Sequence, residues 1–215
     1  MPMRGLVHSA SDAFTFSGIS QGFVLSDFWR WNAFHLLGNI TRARLAEFIV
    51  AQSLGLESQG PLEEWSSHDL VFEGKRIEVK ASAYIQDWPQ ERLSNPRFSI
   101  RKARRMTADG RYEARRQRNS ELYIFSLFTE TDIGCADPLQ LEKWSFYPVP
   151  TSAINTNFSH QKSIGLEKVS ALCPHHSDYF SLRGDVSRML TDTAYDKKAS
   201  GMQGLLEMDL ATSQG

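Results

Sequence analysis

The segment that most constrains the fold is residues 122–128, Leu-Tyr-Ile-Phe-Ser-Leu-Phe, a nearly unbroken apolar run of strand length. A strand with one face in water alternates apolar and polar residues, whereas this run offers apolar side chains to both faces. It therefore predicts a central strand in a sheet that is covered on both sides. With 215 residues, the chain is long enough for one sizeable core. We expect an α/β fold with a central mixed β-sheet flanked by helices.

Other periodic segments supply partners for this strand. An apolar helix is predicted over residues 40–54, and Gly55 is expected to end it. A hairpin is predicted over residues 68–82, with a tight turn at Glu-Gly-Lys in its middle. A further strand is expected over residues 144–149, at an edge or an end of the sheet because it contains proline.

The pattern also predicts how the chain is divided. Residues 1–22 are rich in Ser and Gly and lack periodicity, so we expect a flexible lead-in, with order beginning at Phe23. Residues 23–190 are expected to form a single domain. Residues 191–215 lose periodicity again, and we expect them to form a mobile tail.

Four charged residues lie inside segments that otherwise have the composition of buried core. Burying a charge costs free energy unless the charge is paired, so chemistry is the best reason to keep such residues. Glu47 interrupts the apolar helix, and Asp69 and Glu78 fall on opposite arms of the hairpin. Lys80 follows Glu78 by two residues, so strand alternation places both side chains on one face.

These residues would converge at one end of the sheet if the helix packs on the hairpin. Three carboxylates in one place repel each other strongly unless a cation neutralises them. Oxygen ligands favour Mg²⁺ or Mn²⁺, ions that assist hydrolysis of phosphodiester bonds. We expect Asp69 and Glu78 to hold the metal, and Lys80 to orient the attacking water or to stabilise charge on the phosphate. Glu47 would bind the metal through water or bind a second ion.

The same residues allow a purely structural interpretation. Glu78 and Lys80 would then form an exposed ion pair on a half-solvated strand. Asp69 would cap a turn, and Glu47 would extend its carboxylate into solvent. The two interpretations differ in geometry, because only the catalytic one requires carboxylate oxygens of Asp69 and Glu78 to lie close enough to share one ion.

The order of these residues resembles the PD-(D/E)xK phosphodiesterase superfamily, the restriction-endonuclease-like nucleases. In that superfamily a helix bearing Glu precedes a strand bearing Asp and a strand bearing Glu-x-Lys, as residues 39–88 do here. The resemblance implies a restriction-endonuclease-like core. It also implies that Gln86 contacts substrate or supports the site. The catalytic residues that the resemblance implies are Glu47, Asp69, Glu78, Lys80 and Gln86.

A longer resemblance, to about residue 190, is to an uncharacterised bacterial group within that superfamily. It is carried by residues 27–31, 39–51, 77–88 and 144–147. The chain departs from that group at Ala43, where the group usually has Gly, and at Glu121, where it usually has Asp. Neither departure touches the four charged residues, but the second leaves a role for Glu121 in doubt.

The expected function is therefore that of a Mg²⁺- or Mn²⁺-dependent nuclease that hydrolyses phosphodiester bonds in DNA. The resemblance also suggests a restriction or defence role. Two alternatives stay open: a catalytically inactive nucleic-acid-binding or scaffold protein on the same fold, and a nuclease that acts on RNA or branched DNA. Likeness of fold cannot separate these substrates.

A basic segment supplies the candidate nucleic-acid-binding surface. Residues 97–118 hold nine basic side chains against Asp109 and Glu113, so the local charge is nine minus two, or +7. Such a segment can follow a phosphate backbone, and these contacts position a duplex without reading its sequence. A solvated arginine-rich loop is the alternative. The residues expected to bind nucleic acid are Arg97, Arg101, Lys102, Arg104 and Arg105.

Composition limits the partners. The net charge of -1 gives no global sign of a polyanionic partner, so any affinity for nucleic acid must be local. No stretch approaches the ~20 apolar residues that a membrane helix needs. The 2 cysteines are too few for a disulfide framework and fit a reducing compartment. We expect a cytoplasmic protein that binds nucleic acid, with DNA as the first choice, and no membrane; a homodimer stays open.

Overall fold

The computed structural model describes residues 8–32, 35–56, 66–107 and 110–191. The tail expected to be mobile lies outside the described residues from residue 192 onward, and so do residues 1–7 of the expected lead-in. The chain divides into two compact units between Leu36 and Leu37, inside the predicted single domain. Each unit is described by itself.

The smaller unit is a hairpin followed by a helix. Strands β1 (Ala13–Phe16) and β2 (Ile19–Val24) pair antiparallel, and helix α1 (Leu25–Asn32) follows directly. The Asp27 carboxylate accepts the Val24 N–H at 2.9 Å, which secures the first turn of α1. Among the described residues, regular structure begins at β1, earlier than the predicted start at Phe23. Both strands are exposed almost throughout, so they carry no inside–outside alternation that a sequence pattern could reveal.

In chain order, the described helices and strands of the larger unit are α2 (Asn39–Leu54), β3 (Leu70–Phe72), β4 (Lys75–Ala83), β5 (Arg97–Ser99), β6 (Ala103–Met106), β7 (Tyr112–Gln117), β8 (Leu122–Phe128), β9 (Trp144–Pro150), α3 (Thr151–Asn157), β10 (Ser163–Gly165), α4 (Leu166–Leu172) and α5 (Leu182–Thr191). The central sheet has the strand order β3-β4-β8-β9. β4 is antiparallel to β3 and parallel to β8, and β8 is antiparallel to β9. The expected α/β fold with a central mixed sheet flanked by helices is confirmed.

Strand β8 is buried along its whole length, and its side chains alternate between two hydrophobic clusters. Leu122 and Ile124 belong to the first cluster, to which α2 and α5 also contribute. Tyr123 and Phe125 belong to the second cluster, together with residues of β5, α3 and α4. The sheet is therefore covered on both faces, as the apolar run predicts.

Helix α2 agrees closely with the predicted helix over residues 40–54. It ends at Gly55, which has a left-handed φ of 74° and donates its N–H to the Gln52 carbonyl at 3.1 Å. The buried face of α2 begins with a charged residue, Arg42, and continues at helical spacing through Ala46, Ile49 and Val50. Glu47 lies beside this face and is only partly buried.

The crossover from β4 to the parallel strand β8 is unusual in its secondary structure. Such crossovers usually contain a helix. The described part of residues 84–121 contains no helix, and its strands are β5, which pairs with β10, and the antiparallel pair β6–β7. The basic segment therefore forms this crossover. We refer to strands β6 and β7 together as the basic ribbon.

None of the described helices has both the length and the apolar character needed to cross a membrane.

Candidate active site at the edge of the sheet

Asp69 lies one residue before β3, where that edge strand begins to pair with β4. The Asp69 backbone N–H donates to the Ile77 carbonyl at 3.0 Å. In the part of the chain that the structure describes, strand pairing between β3 and β4 ends at Leu70 and Ile77, and β3 does not continue beside the next residues of β4. The Asp69 Oδ2 atom accepts the Val79 N–H at 2.7 Å instead. The shortness of β3 thus turns the Asp69 carboxylate along the edge of β4.

Glu78 and Lys80 share one face of β4, as strand alternation predicts. The Lys80 Nζ atom lies 2.5 Å from Glu78 Oε1 and 3.8 Å from Asp69 Oδ2. The Ser120 hydroxyl donates to the other Glu78 oxygen, Oε2, at 3.4 Å. Two carboxylates from opposite arms of the hairpin therefore face one ammonium group.

These three side chains are largely removed from water. The exposed fraction is 21% for Asp69, 19% for Glu78 and 30% for Lys80. An exposed ion pair on a half-solvated strand does not describe this arrangement. The cap expected from the structural interpretation is present, but it serves the Val79 amide of a strand rather than a turn. Because one cation serves two carboxylates, the cluster keeps an excess of negative charge.

Burial and the neighbouring charges together shift the pKa values of this cluster. Burial raises the pKa of Glu78, and the negative charge of Asp69 raises it further, against the attraction of Lys80. Burial lowers the pKa of Lys80, but the attraction of Glu78 and Asp69 outweighs it, so this pKa lies above its ordinary value. The ammonium is held in its charged form. A second cation beside Glu78 would reduce the cost of keeping its carboxylate ionised.

Glu47 is near this cluster, but its carboxylate is engaged elsewhere. The Arg44 Nη1 atom lies 2.8 Å from Glu47 Oε2, one helical turn away. Burial raises the pKa of Glu47, and the charge of Asp69 raises it further. Glu47 thus lies within electrostatic range of Asp69 while it is paired with Arg44. A contact with the metal through water stays a prediction for this residue.

The donor set fits a divalent cation that prefers oxygen ligands. Mg²⁺ is commonly held by one or two carboxylates, while water and substrate oxygens complete its coordination. Asp69 and Glu78 supply two such carboxylates around a position that already attracts one positive charge, the Lys80 ammonium. Among the described residues, no three His, Cys, Asp or Glu side chains gather closely enough to hold a metal. The described residues would therefore supply two carboxylates to a cation, with water and substrate oxygens as its remaining ligands.

Gln86 lies beyond the end of β4 and is buried. Its Nε2 atom donates to the Ala83 carbonyl at 3.2 Å and to the Ser94 hydroxyl at 3.3 Å. Its Oε1 atom accepts a hydrogen bond from Arg42 Nη2 at 3.2 Å. Of the two roles that the resemblance implies, these contacts favour support of the site over direct contact with substrate.

Two residues that contact the predicted site residues were not predicted from the sequence: Ser120, which donates to Glu78, and Arg42, which donates to Gln86. Arg42, on α2, is the more buried of the two. It is 3% exposed, and its guanidinium donates to the Leu37 carbonyl at 2.7 Å and to Asn39 Oδ1 at 2.5 Å. Its Nε atom has no hydrogen-bond partner among the described residues. Burial lowers the pKa of Arg42, against the attraction of Asp87. The signal for Arg42 was present, because it stands first in the apolar stripe of α2.

Glu121 binds Arg76 and does not join the cluster around Lys80. The Arg76 backbone N–H donates to Glu121 Oε2 at 2.7 Å, and Arg76 Nε donates to the same oxygen at 3.1 Å. This pair fastens the start of β8 to β4.

The basic residues of the crossover differ in whether their side chains are exposed and so able to contact a phosphate. Arg118 is buried, and its guanidinium donates to Asn155 Oδ1 and to three backbone carbonyls. It is therefore a structural residue and adds nothing to a phosphate-binding surface. The residues expected to bind nucleic acid are all exposed; they are Arg97, Arg101, Lys102, Arg104 and Arg105.

Comparison with known proteins adds little to this geometry. No protein-family model matches the chain, and no curated protein matches it. A bacterial homing endonuclease of known structure is 21% identical to the chain over a match that covers 57% of this chain and 76% of the other. The TM-score of that match is 0.30, so the similarity carries no argument about activity.

Proposed function

We propose that this chain is a metal-dependent nuclease that hydrolyses phosphodiester bonds in DNA. The observation that carries the proposal is the approach of Asp69 and Glu78 to one ammonium, that of Lys80, at a partly buried edge of the sheet. A carboxylate pair with an excess of negative charge is what a divalent cation would neutralise.

Each residue of the cluster has a distinct part. Asp69 and Glu78 would hold the cation. When bound, the cation supplies Lewis-acid polarisation of the phosphate. Lys80 stays charged beside both carboxylates, so it can orient the attacking water or stabilise charge on the phosphate. Ser120 and Val79 orient the two carboxylates through hydrogen bonds.

The crossover supplies the side that binds substrate. Arg97 is the first residue of β5, and Arg101 and Lys102 follow that strand. All three are exposed, so they can contact phosphates. A restriction or defence role and a cytoplasmic location stay predictions from the sequence, as do the alternatives of RNA or branched DNA as substrate.

Cleavage of DNA in the presence of Mg²⁺, Mn²⁺ or EDTA tests the proposal. The wild type should cleave only with a metal. Asp69→Asn is the sharpest variant, because its amide oxygen can still accept the Val79 N–H while the charge is lost. It should abolish cleavage, as should Glu78→Gln, whereas Glu167→Gln on the exposed side of α4 should retain it. Circular dichroism checks that each variant is folded.

Two outcomes would contradict the proposal. Cleavage that persists in both Asp69→Asn and Glu78→Gln would assign the activity to another site or to a contaminant. DNA binding without cleavage in any metal would instead favour the catalytically inactive nucleic-acid-binding protein.

A further inference from the structure

The basic ribbon contributes nothing to either hydrophobic cluster. No residue of β6 or β7 is buried, and none belongs to the cores on the two faces of the sheet. A two-stranded hairpin without an apolar face is marginally stable in water. Packing in the hydrophobic core therefore does not explain the composition of the ribbon.

The charges of the ribbon oppose its own pairing. Arg104 lies directly across from Arg116 in the register of the two strands. Like charges in directly opposite positions destabilise a strand pair. The two strands together carry four arginines and one acidic residue, Glu113; the arginines are Arg104, Arg105, Arg115 and Arg116. This pattern is unfavourable by itself and becomes favourable against a polyanion.

The base of the ribbon is anchored to the core beside the candidate site. Arg118, just after β7, donates to the carbonyl of Ile100, just before β6, at 2.9 Å, and so it ties the two ends together. The same guanidinium donates to the Phe158 carbonyl at 3.0 Å. Ser120, which donates to Glu78, follows Arg118 by two residues. The basic ribbon is thus fixed at its base, close in the chain to the residue that contacts the Glu78 carboxylate.

We propose that the basic ribbon enters the major groove of double-stranded B-form DNA, an inference that rests on the proposed function and names its substrate. The major groove of B-form DNA, about 12 Å wide, admits a two-stranded β-ribbon. The major groove of A-form RNA is deep and narrow and does not admit one. Arg104 and Arg116 then lie between two phosphate backbones, in reach of phosphates and guanine edges.

Binding measured in EDTA, where metal-dependent cleavage is absent, tests this inference. Fluorescence anisotropy compares a short labelled DNA duplex with an RNA duplex of the same sequence. The wild type should prefer the DNA duplex. Arg104→Gln combined with Arg116→Gln should weaken DNA binding by about tenfold or more and reduce the slope of log K against log salt by about 2. Lys168→Gln combined with Arg188→Gln removes the same charge from α4 and α5 and should leave binding unchanged.

Chemical protection identifies the groove. Dimethyl sulfate methylates guanine N7 in the major groove and adenine N3 in the minor groove. The wild type should protect guanine N7, and the ribbon variant should lose that protection. Full reactivity of guanine N7 at saturating protein would overturn the inference, and so would equal affinity for the two duplexes or an equal loss of binding in the control variant.

Cleavage with Mg²⁺ separates this inference from the proposed function. If the ribbon variant binds and cleaves DNA as the wild type does, the inference about the ribbon is wrong and the proposed nuclease activity is retained. If guanine N7 protection depends on the ribbon but no metal supports cleavage, the proposed nuclease activity is wrong and the inference about the ribbon is retained.

Discussion

Strand β4 takes part in two charged clusters that are built differently. At its start, Arg76 donates to Glu121 through its backbone N–H and its side chain, so one cation faces one carboxylate. Further along, Lys80 faces both Glu78 and Asp69, so one cation faces two carboxylates. The two clusters use the same kinds of residue on the same strand, and they differ in charge balance.

The carboxyl groups of the two clusters also differ in the direction of their pKa shifts, and the causes differ as well. Hydrogen bonds from Arg76 lower the pKa of Glu121. Burial raises the pKa of Glu78, despite the attraction of Lys80. A balanced pair is what structural fastening needs, whereas an unbalanced, partly buried cluster is typical of a site that performs chemistry. Under the proposed function, this difference predicts a structural role for Glu121 and a catalytic role for Glu78, and the following experiments test both roles.

The largest expected effect is on cleavage. Glu78→Gln should reduce the rate of DNA cleavage by at least about 10²-fold, because it removes one of two carboxylates that would hold the cation. Glu121→Gln should change the rate by only a few fold. Single-turnover cleavage in Mg²⁺ measures the cleavage rate of each variant, and DNA binding is measured separately in EDTA. A similar loss of cleavage in both variants would remove the distinction between the clusters.

The next effect is stabilisation by metal. A ligand that binds only the folded state at about 100 times its Kd adds about 2.7 kcal/mol to the free energy of unfolding. Mg²⁺ or Mn²⁺ should therefore raise the Tm of the wild type and of Glu121→Gln. Glu78→Gln and Asp69→Asn should lose most of that increase. Thermal unfolding in metal and in EDTA measures it, and an undiminished increase in Glu78→Gln would place the metal elsewhere.

The sequence predicts most of the central sheet because the signals there are periodic. The apolar run in β8 indicates cover on both faces, and alternation in β4 places Glu78 and Lys80 together. The ribbon has no such signal, because neither strand has a buried face. A sequence of exposed arginines does not distinguish a loop from a two-stranded ribbon.

The immediate surroundings of the site were less predictable, for a different reason. The contact between Arg42 and Gln86 joins residues 44 positions apart and depends on how α2 packs on β4. The pairing of Glu47 with Arg44 was readable, since residues three apart on a helix are neighbours. In the structure, the Glu47 carboxylate is paired with Arg44 while it lies within electrostatic range of Asp69.

A smaller effect is expected on stability. Glu121→Gln should lower the free energy of unfolding by about 0.5–1 kcal/mol, since its hydrogen bonds to Arg76 are lost in part and solvent screens the pair. The side chains are 31% and 37% exposed, which keeps the loss small. Urea unfolding at neutral pH measures it, with Glu167→Gln as the control that should show no change. A loss of several kcal/mol would mean that Glu121 is needed for folding of the sheet itself.

The smallest effect is the pH dependence of that loss. The pKa of Glu121 is lowered from its ordinary value of 4.5, chiefly by hydrogen bonds from Arg76. A carboxyl whose pKa is lower in the folded than in the unfolded chain binds fewer protons when folded, so its stabilisation is complete above the ordinary pKa. That stabilisation is lost as the pH falls through the lowered pKa of the folded state. The difference between wild type and Glu121→Gln in urea unfolding should therefore be constant at neutral pH and shrink below 4.5. A difference that instead grew on acidification would mean that the Arg76 pair does not hold Glu121 in its charged form.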